Sequence, residues 1–358
     1  MNYAIILAGG IGSRFWPLSR YLEPKQFLNI GSKKSMLEES IDKIMGLIKK
    51  KHIYIAANKA HKQKIEECIN KFNLSFNNIL FEPEGKNTLA PIGVLSQKFY
   101  HIDPEAVIVV LPCDHFVKNK QRFLKLLNQG LEIANLRHIV TLGISPKRPE
   151  TGYGYIKIKS KPKSTCLAGR QEKAKLYYEV EKIIEKPPLY KAKQFIQDKR
   201  YYYNSGIFIF RADVMLEEIR KIRPAVYKAI IKIKNRKDLN NLWPRFPYLS
   251  LDYAIMEETK IAAMLPADYG WLDLGSWQAI EEVAKKDKNG NIFRGNCIDI
   301  GSKNSIVWSQ KRTIATLGLD NVIVVDTEDA LLVCAKDKAQ DVKRIVQILK
   351  RKNCLKTI

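Results

Sequence analysis

The sequence predicts an α/β fold: a Rossmann-like, doubly wound, mostly parallel sheet, then a small C-terminal β-rich module and a closing helix. Three observations predict it. Short apolar runs at 3–8, 53–57, 78–81, 106–111 and 139–144 recur between helical patterns, the alternation expected of parallel strands joined by helices. The first run empties into Gly9-Gly10-Ile11-Gly12, a glycine turn at the end of a strand, where parallel sheets bind ligands. From residue 289 onward the sequence breaks into the β-runs NCIDI, NSIVW, TIATL, NVIVV and ALLVCA. Their spacing of roughly ten residues is that of a short β-helix or solenoid.

The elements follow in order. Leu37, Ile41, Ile44 and Ile48 form one face of an amphipathic helix between the first two strands. After Glu150, strand-like pieces at 155–158 and 180–184 flank a polar, lysine-rich stretch at 159–175. A strand at 207–210 leads to a helix from about Asp213, and a second helical region runs to about Lys286. Ala339, Val342, Ile345, Val346 and Leu349 mark the closing helix. No low-complexity linker interrupts the chain, so the tail is expected to pack on the main domain. The expected domains are 1–288 and 289–358.

Composition narrows the class. Hydrophobic residues are 46% of 358, which excludes disorder. No apolar run approaches the ~18 residues of a membrane span, so no membrane partner is expected. The N-terminus has no basic region before its apolar run, which argues against a signal peptide. Six cysteines form no CxxC and five histidines no HExxH, so a disulfide framework or structural zinc is not expected. A reducing cytoplasm fits that pattern. The net charge of +24 admits a polyanionic partner. The basic residues are nevertheless spread along the chain, with no RNP, KH or OB text, so no nucleic acid is expected. A positive field also attracts a phosphorylated small molecule.

The glycine turn has chemistry of its own. Glycines let backbone N–H groups face an anion, and Arg14 and Lys25 add charged donors. A dinucleotide fingerprint fails because its last glycine would be Phe15. A P-loop fails because Gly85-Lys86 is followed by Asn87. Asp114 lies three residues past the run at 106–111, facing the same sheet edge if both strands are parallel and central. A carboxylate beside a polyphosphate requires a cation between them, and Mg²⁺ is the usual one. The alternative for Asp114 is an Asx-turn or a helix N-cap.

Seven ordered blocks carry a family resemblance: LAGGIGSRFWPLSRYLEPKQFL (7–28), FEPEGKNTLAPI (81–92), LPCDH (111–115), TGYGYI (151–156), EKP (185–187), NSGIFIF (204–210) and GWLDLGSW (270–277). Together they resemble the sugar-phosphate nucleotidylyltransferases, in particular the mannose-1-phosphate guanylyltransferase branch. Nearly the whole chain takes part, including the tail VVDTEDALLVCAKDKAQDVK. Ser13 stands where the family more often has Thr, and Cys113 where Ser or Ala is commoner. Neither change removes a charge or a metal ligand. Some members add a cupin domain that isomerises phosphomannose. This sequence ends at Ile358, so a short monofunctional form is expected.

The resemblance implies transfer of GMP from GTP to mannose-1-phosphate, giving GDP-mannose and pyrophosphate. Gly9, Gly10, Gly12 and Ser13 would cradle the triphosphate, with Leu7 and Ala8 against the base. Arg14 would hold the leaving pyrophosphate. Lys25 would sit at the α-phosphate and the attacking phosphate. Asp114 and Asp273 would hold Mg²⁺, Asp273 also meeting the sugar phosphate. The alternative for Asp273 is a helix cap near Ser276. Guanine presents donors and wants acceptors. Glu82, the backbone carbonyls near Pro83 and Pro112, and the side chains of Asn87 and Thr88 are the candidates, although Glu82 serves as well for a turn cap. Tyr153, Gly154, Glu185, Lys186 and Asn204 would read the sugar phosphate. Tyr201–Tyr203, Trp271 and Trp277 read as packing. A homodimer through the β-rich tail is the assembly the resemblance leans toward. Another sugar-1-phosphate or another NTP, or a regulatory non-catalytic homologue, stays open.

Overall fold

The computed structural model describes residues 1–165, 175–352 and 354. Positions 166–174 of the expected lysine-rich stretch lie outside the described residues. The chain forms two compact units. One is Met1–Gly9, Ser40–Pro112 and Val117–Trp271; the other is Gly10–Glu39, Cys113–Phe116 and Leu272–Ile358.

The first unit is built on a nine-stranded sheet. Its strands are β1 (Asn2–Ala8), β2 (Ile53–Asn58), β3 (Ile79–Glu82), β4 (Val107–Pro112), β5 (Ile139–Ile144), β6 (Tyr155–Thr165), β7 (Lys175–Ile184), β8 (Tyr201–Arg211) and β9 (Ala262–Ala267). Their order is β3-β2-β1-β4-β8-β5-β9-β7-β6. The run β3-β2-β1-β4 is parallel, as is β5-β9. Strand β8 enters antiparallel between β4 and β5, and β7 runs antiparallel to β9 and β6. The sheet is therefore doubly wound and parallel in its N-terminal half and mixed beyond it. Covered on both faces, β1 and β4 need continuous apolar runs, which is why the sequence shows them without alternation.

Two local expectations are corrected. The amphipathic helix α1 (Met36–Ile44) stops before Ile48. Gly46 breaks it, and a Cβ there would come within 3.0 Å of Leu124. Ile48 still reaches the core through the following turn. The helical region expected to run to Lys286 contains β9, whose first four residues, AAML, favour helix by composition. Pairing on both sides, with Ala263 and Met264 fully buried, overrides that preference. Helix α2 (Leu89–Ile102) follows β3, and α3 (Ala212–Ile222) begins as expected near Asp213.

The second unit contains the β-rich tail. Strands β10 (Ile292–Arg294), β12 (Ile306–Ser309) and β14 (Val322–Asp326) stack in parallel, with β15 (Leu331–Ala335) antiparallel to β14. Strands β11 (Cys297–Ile300) and β13 (Ile314–Leu317) form a second parallel pair. Ile292, Ile306 and Ile323 align in register, so each coil lays an apolar side chain on the last. Helix α4 (Val342–Arg351) closes the stack, with Ala339 in the turn before it. The core of this unit joins Ile323, Val325, Leu332 and Val346 to Phe15, Trp16, Leu18 and Trp277. The tail therefore shares one core with the glycine turn. Among the described residues, no helix is long and apolar enough to cross a membrane.

Candidate active site

The glycine turn leaves β1 with Gly10 at φ 107° and Gly12 at φ 71°, a region that L side chains rarely enter. Gly12 opens a single 3₁₀ turn, Ser13–Phe15. Phe15 is fully buried and meets Trp277 edge-on at 5.5 Å. The Trp277 indole N–H donates to the Trp16 carbonyl at 3.0 Å, and its ring meets Trp308 at 5.6 Å. Trp277 is thus an anchor, as expected. Arg14 immediately precedes the anchored Phe15 and Trp16, and its buried Nε has no hydrogen-bond partner among the described residues. A buried unpartnered donor costs about 1–3 kcal/mol, so its presence points to a ligand that accepts from it.

Lys25 follows in a second 3₁₀ turn, Lys25–Phe27, and its backbone N–H donates to the Ile11 carbonyl at 3.3 Å. A Cβ on Gly12 would come within 2.6 Å of the Lys25 side chain, so only glycine lets that side chain lie against the turn. The Lys25 ammonium bonds the Asp114 carboxylate. Asp114, His115 and Asp273 each offer a ligand atom, all within 4.8 Å of one another. The Leu274 N–H donates to the Asp114 carbonyl at 3.1 Å, tying the two segments that carry the carboxylates. The 3₁₀ helix Trp277–Glu282 follows Asp273, with Ser276 at its cap position. His115 was not singled out by the sequence, since a lone histidine carries no spacing signal.

The charges are set by these neighbours. Burial alone would lower the Lys25 pKa, but Asp114 and Asp273 outweigh it and hold the group at about 12. Burial would raise the Asp114 carboxyl, but Lys25 and His115 bring it down to about 2. Lys25 is therefore a fixed cation and Asp114 a fixed anion across the physiological range. The paired carboxylates form a hard-oxygen donor set suited to a divalent cation.

In the first unit, Leu7 pairs with Pro112 at the carboxyl ends of β1 and β4, and Ala8 is buried beside them. Glu82 ends β3 at 5% exposure, and burial pushes its carboxyl up to about 7 against a backbone hydrogen bond from Lys86. A Cβ on Gly9 would stand 3.9 Å from Glu82 Oε1. The Asn87 side-chain carbonyl accepts from the Thr88 N–H at 2.9 Å, and Thr88 Oγ1 accepts from the Leu251 N–H at 2.8 Å. Asn87, Thr88 and Glu82 each carry a structural bond, and each oxygen set can accept another.

The expected sugar residues also gather in the first unit. The Asn204 N–H donates to the Gly154 carbonyl at 2.8 Å, and a Cβ on Gly154 would collide with the Glu185 carboxylate. Lys186 pairs with Glu185 at 2.7 Å, which takes one of its three ammonium donors. Asn204 Oδ1 accepts from Thr141 Oγ1 at 2.9 Å and from the Gly206 N–H at 3.1 Å, and its Nδ2 donates to Asp252 at 2.9 Å. Asn204 was expected to offer acceptor and donor alike; with both lone pairs occupied, one N–H remains for a ligand. Tyr153 packs edge-on against Tyr203 at 5.3 Å and Trp271 at 5.2 Å. Asp252 carries no motif of its own and lies in a segment that reads only as helical, so the sequence does not mark it.

Comparison with known proteins agrees with this geometry. A family model described as nucleotidyl transferase matches residues 3–290, and one described as MannoseP isomerase/GMP-like beta-helix domain matches residues 295–349. A protein of Salmonella muenchen described as mannose-1-phosphate guanylyltransferase is 35% identical over 98% of this chain and 73% of its own length. One of Klebsiella pneumoniae with the same description is 36% identical over 98% of this chain and 74% of its own. A solved structure from Thermus thermophilus, described as mannose-1-phosphate geranyltransferase, superposes with a TM-score of 0.85 at 28% identity. It covers 98% of this chain and 99% of its own.

Proposed function

From the premise that this chain belongs to the nucleotidyl transferase family, we propose that it is a mannose-1-phosphate guanylyltransferase. It moves GMP from GTP to mannose-1-phosphate and releases pyrophosphate. The observation that carries the reading is the Lys25–Asp114–Asp273 cluster against a glycine turn with a buried, unpartnered Arg14 Nε. Relatives of that description align over nearly the whole chain.

A phosphate oxygen of mannose-1-phosphate attacks the α-phosphorus of GTP in line. The new P–O bond forms as the bond to the β-phosphate breaks, and the electron pair leaves with pyrophosphate. The nucleophile is already an anion, so no general base is needed, and the work is positioning and charge neutralisation. Backbone N–H groups of Gly9, Gly10, Gly12 and Ser13 hold the triphosphate. Arg14 donates to the departing pyrophosphate. Lys25, protonated throughout the physiological range, holds the α-phosphate and the incoming phosphate as a charge and not as a base. Asp114 and Asp273, with His115 beside them, would hold Mg²⁺. When bound, that ion neutralises charge on the phosphate oxygens. Glu82 accepts from the guanine N1–H and N2–H₂ edge. Glu185 and the remaining Asn204 N–H read sugar hydroxyls.

We take 1–288 as the nucleotidyltransferase domain, 289–358 as its β-rich partner, a homodimer as the assembly and a reducing cytoplasm as the setting. The test combines the purified chain and Mg²⁺ with each of four NTPs and a panel of sugar-1-phosphates, and measures pyrophosphate. GTP with mannose-1-phosphate should give the highest release, and EDTA should abolish it. Release only with another pair moves the specificity and keeps the reaction. No release with any pair favours a non-catalytic regulator.

A further inference from the structure

The segment from Leu249 to Glu257 is unlike its surroundings. It closes as a π-turn, Asp252–Met256, with the Glu257 N–H donating to the Asp252 carbonyl at 3.0 Å. Single π-turns are uncommon and concentrate at functional sites. In an α-helix, residues five apart point about 140° away from each other. A turn closed at five residues brings Asp252 and Glu257 onto one side instead. Both then reach the expected sugar residues. Asp252 Oδ1 accepts from Asn204 Nδ2 at 2.9 Å, and Glu257 Oε1 accepts from the Glu185 backbone N–H at 2.9 Å.

The other end of the same segment is fixed to the loop that carries the guanine candidates. The Leu251 N–H donates to Thr88 Oγ1 at 2.8 Å, the Leu249 N–H to the Lys86 carbonyl at 3.3 Å, and the Leu89 N–H to the Leu249 carbonyl at 3.2 Å. Ala254, Ile255 and Met256 seat the turn in the core. Asp252 also fixes the rotation of the Asn204 amide from its donor side. With the Gly206 N–H on the carbonyl oxygen and Asp252 on the nitrogen, the amide cannot flip without losing two bonds.

We propose that this π-turn is the positioning element of the sugar site, Asp252 setting the Asn204 amide and Glu257 setting the Glu185 backbone. The inference rests on the sugar-phosphate reading above and adds two residues to it. Neither side chain needs to touch the sugar. Each acts through a neighbour that does. Burial and then the Glu185 charge push the Asp252 carboxyl up to about 7, in keeping with a tight pocket of polar groups.

The test is steady-state kinetics with both substrates on E257A, E257Q, D252A and D252N, beside wild type. Glu257 is exposed, so E257A probes the idea without threatening the fold. E257A and D252A should raise KM for mannose-1-phosphate about tenfold, the effect of losing one hydrogen-bonded anchor. KM for GTP should stay within about twofold. E257Q and D252N keep the accepting oxygen and should recover most of the loss. If wild type releases no pyrophosphate with any pair, the functional reading fails before this inference is reached. If wild type is active but the alanine variants raise both KM values alike, lower only the melting temperature, or change nothing, the positioning role is wrong.

Discussion

In the proposed reaction Arg14 and Lys25 supply positive charge, and their surroundings differ. Lys25 is held as a cation by Asp114 and Asp273, so its loss removes a charge and leaves two carboxylates facing each other. Arg14 has a buried nitrogen with nothing to bond among the described residues. R14A and K25A should each lower kcat by about two to three powers of ten, corresponding to about 3–4 kcal/mol of transition-state charge stabilisation. R14A should change KM for mannose-1-phosphate little, because the proposed target of Arg14 is the leaving pyrophosphate. A drop confined to KM for the sugar phosphate would place Arg14 elsewhere.

Glu82 gives a pH dependence with a defined sign. Its folded carboxyl titrates at about 7 against an ordinary value of 4.5. The unfolded chain gives up that proton near 4.5, whereas the folded protein keeps it until about 7. Stability from this group therefore falls as pH rises through that window. E82Q should melt higher than wild type at pH 8 and at the same temperature at pH 4. For guanine the sign is reversed, because a donor edge needs the ionised acceptor. KM for GTP should rise in wild type as pH drops from 8 to 6, more steeply than in E82Q, which should bind GTP weakly throughout. An equal pH slope in the two proteins would remove Glu82 from the base site. The glycine turn with Arg14 and Lys25 is legible because its chemistry is local, whereas Asp273 is reached only through the family resemblance. Asp252, Glu257 and His115 are not legible, because their meaning lies in partners 48, 72 and 158 positions away.

At the level of elements, the sequence patterns are legible where one physical rule acts alone. Strands β1, β2 and β4 are buried on both faces and show as continuous apolar runs. The tail strands show because each coil repeats one apolar position over the last. The pattern misleads where two rules compete. In β9, alanine and methionine favour helix, and only the neighbouring β5 and β7 make the segment a strand. Helix α1 ends at Ile44, two residues before Gly46, although the apolar period continues to Ile48. The glycine turn is the sharpest case of a legible element. Gly12 must be glycine twice over, for its φ of 71° and for the Lys25 side chain against it.

The whole molecule joins its tail to its chemistry. In the second unit, Arg20 binds Asp329 through two hydrogen bonds of 2.8 and 2.5 Å and Thr327 at 3.1 Å. Phe15, Trp16 and Trp277 share a core with Trp308, Ile323 and Val346. A chain ending at Lys288 would expose that core and release the turn bearing Arg14 and Lys25. Such a truncation should be inactive and should melt at a lower temperature or aggregate, although its boundary is close to where the two family models divide. Full activity in the truncated chain would make the tail an appendage.

The most direct measurement identifies the products. The full chain is incubated with GTP, mannose-1-phosphate and Mg²⁺, and the nucleotide products are separated and weighed by mass spectrometry. The account predicts GDP-mannose and pyrophosphate in equal amounts, with no GDP or free phosphate from hydrolysis. GTP consumed to GDP and phosphate, or left intact while every other NTP and sugar phosphate also fails, would contradict it.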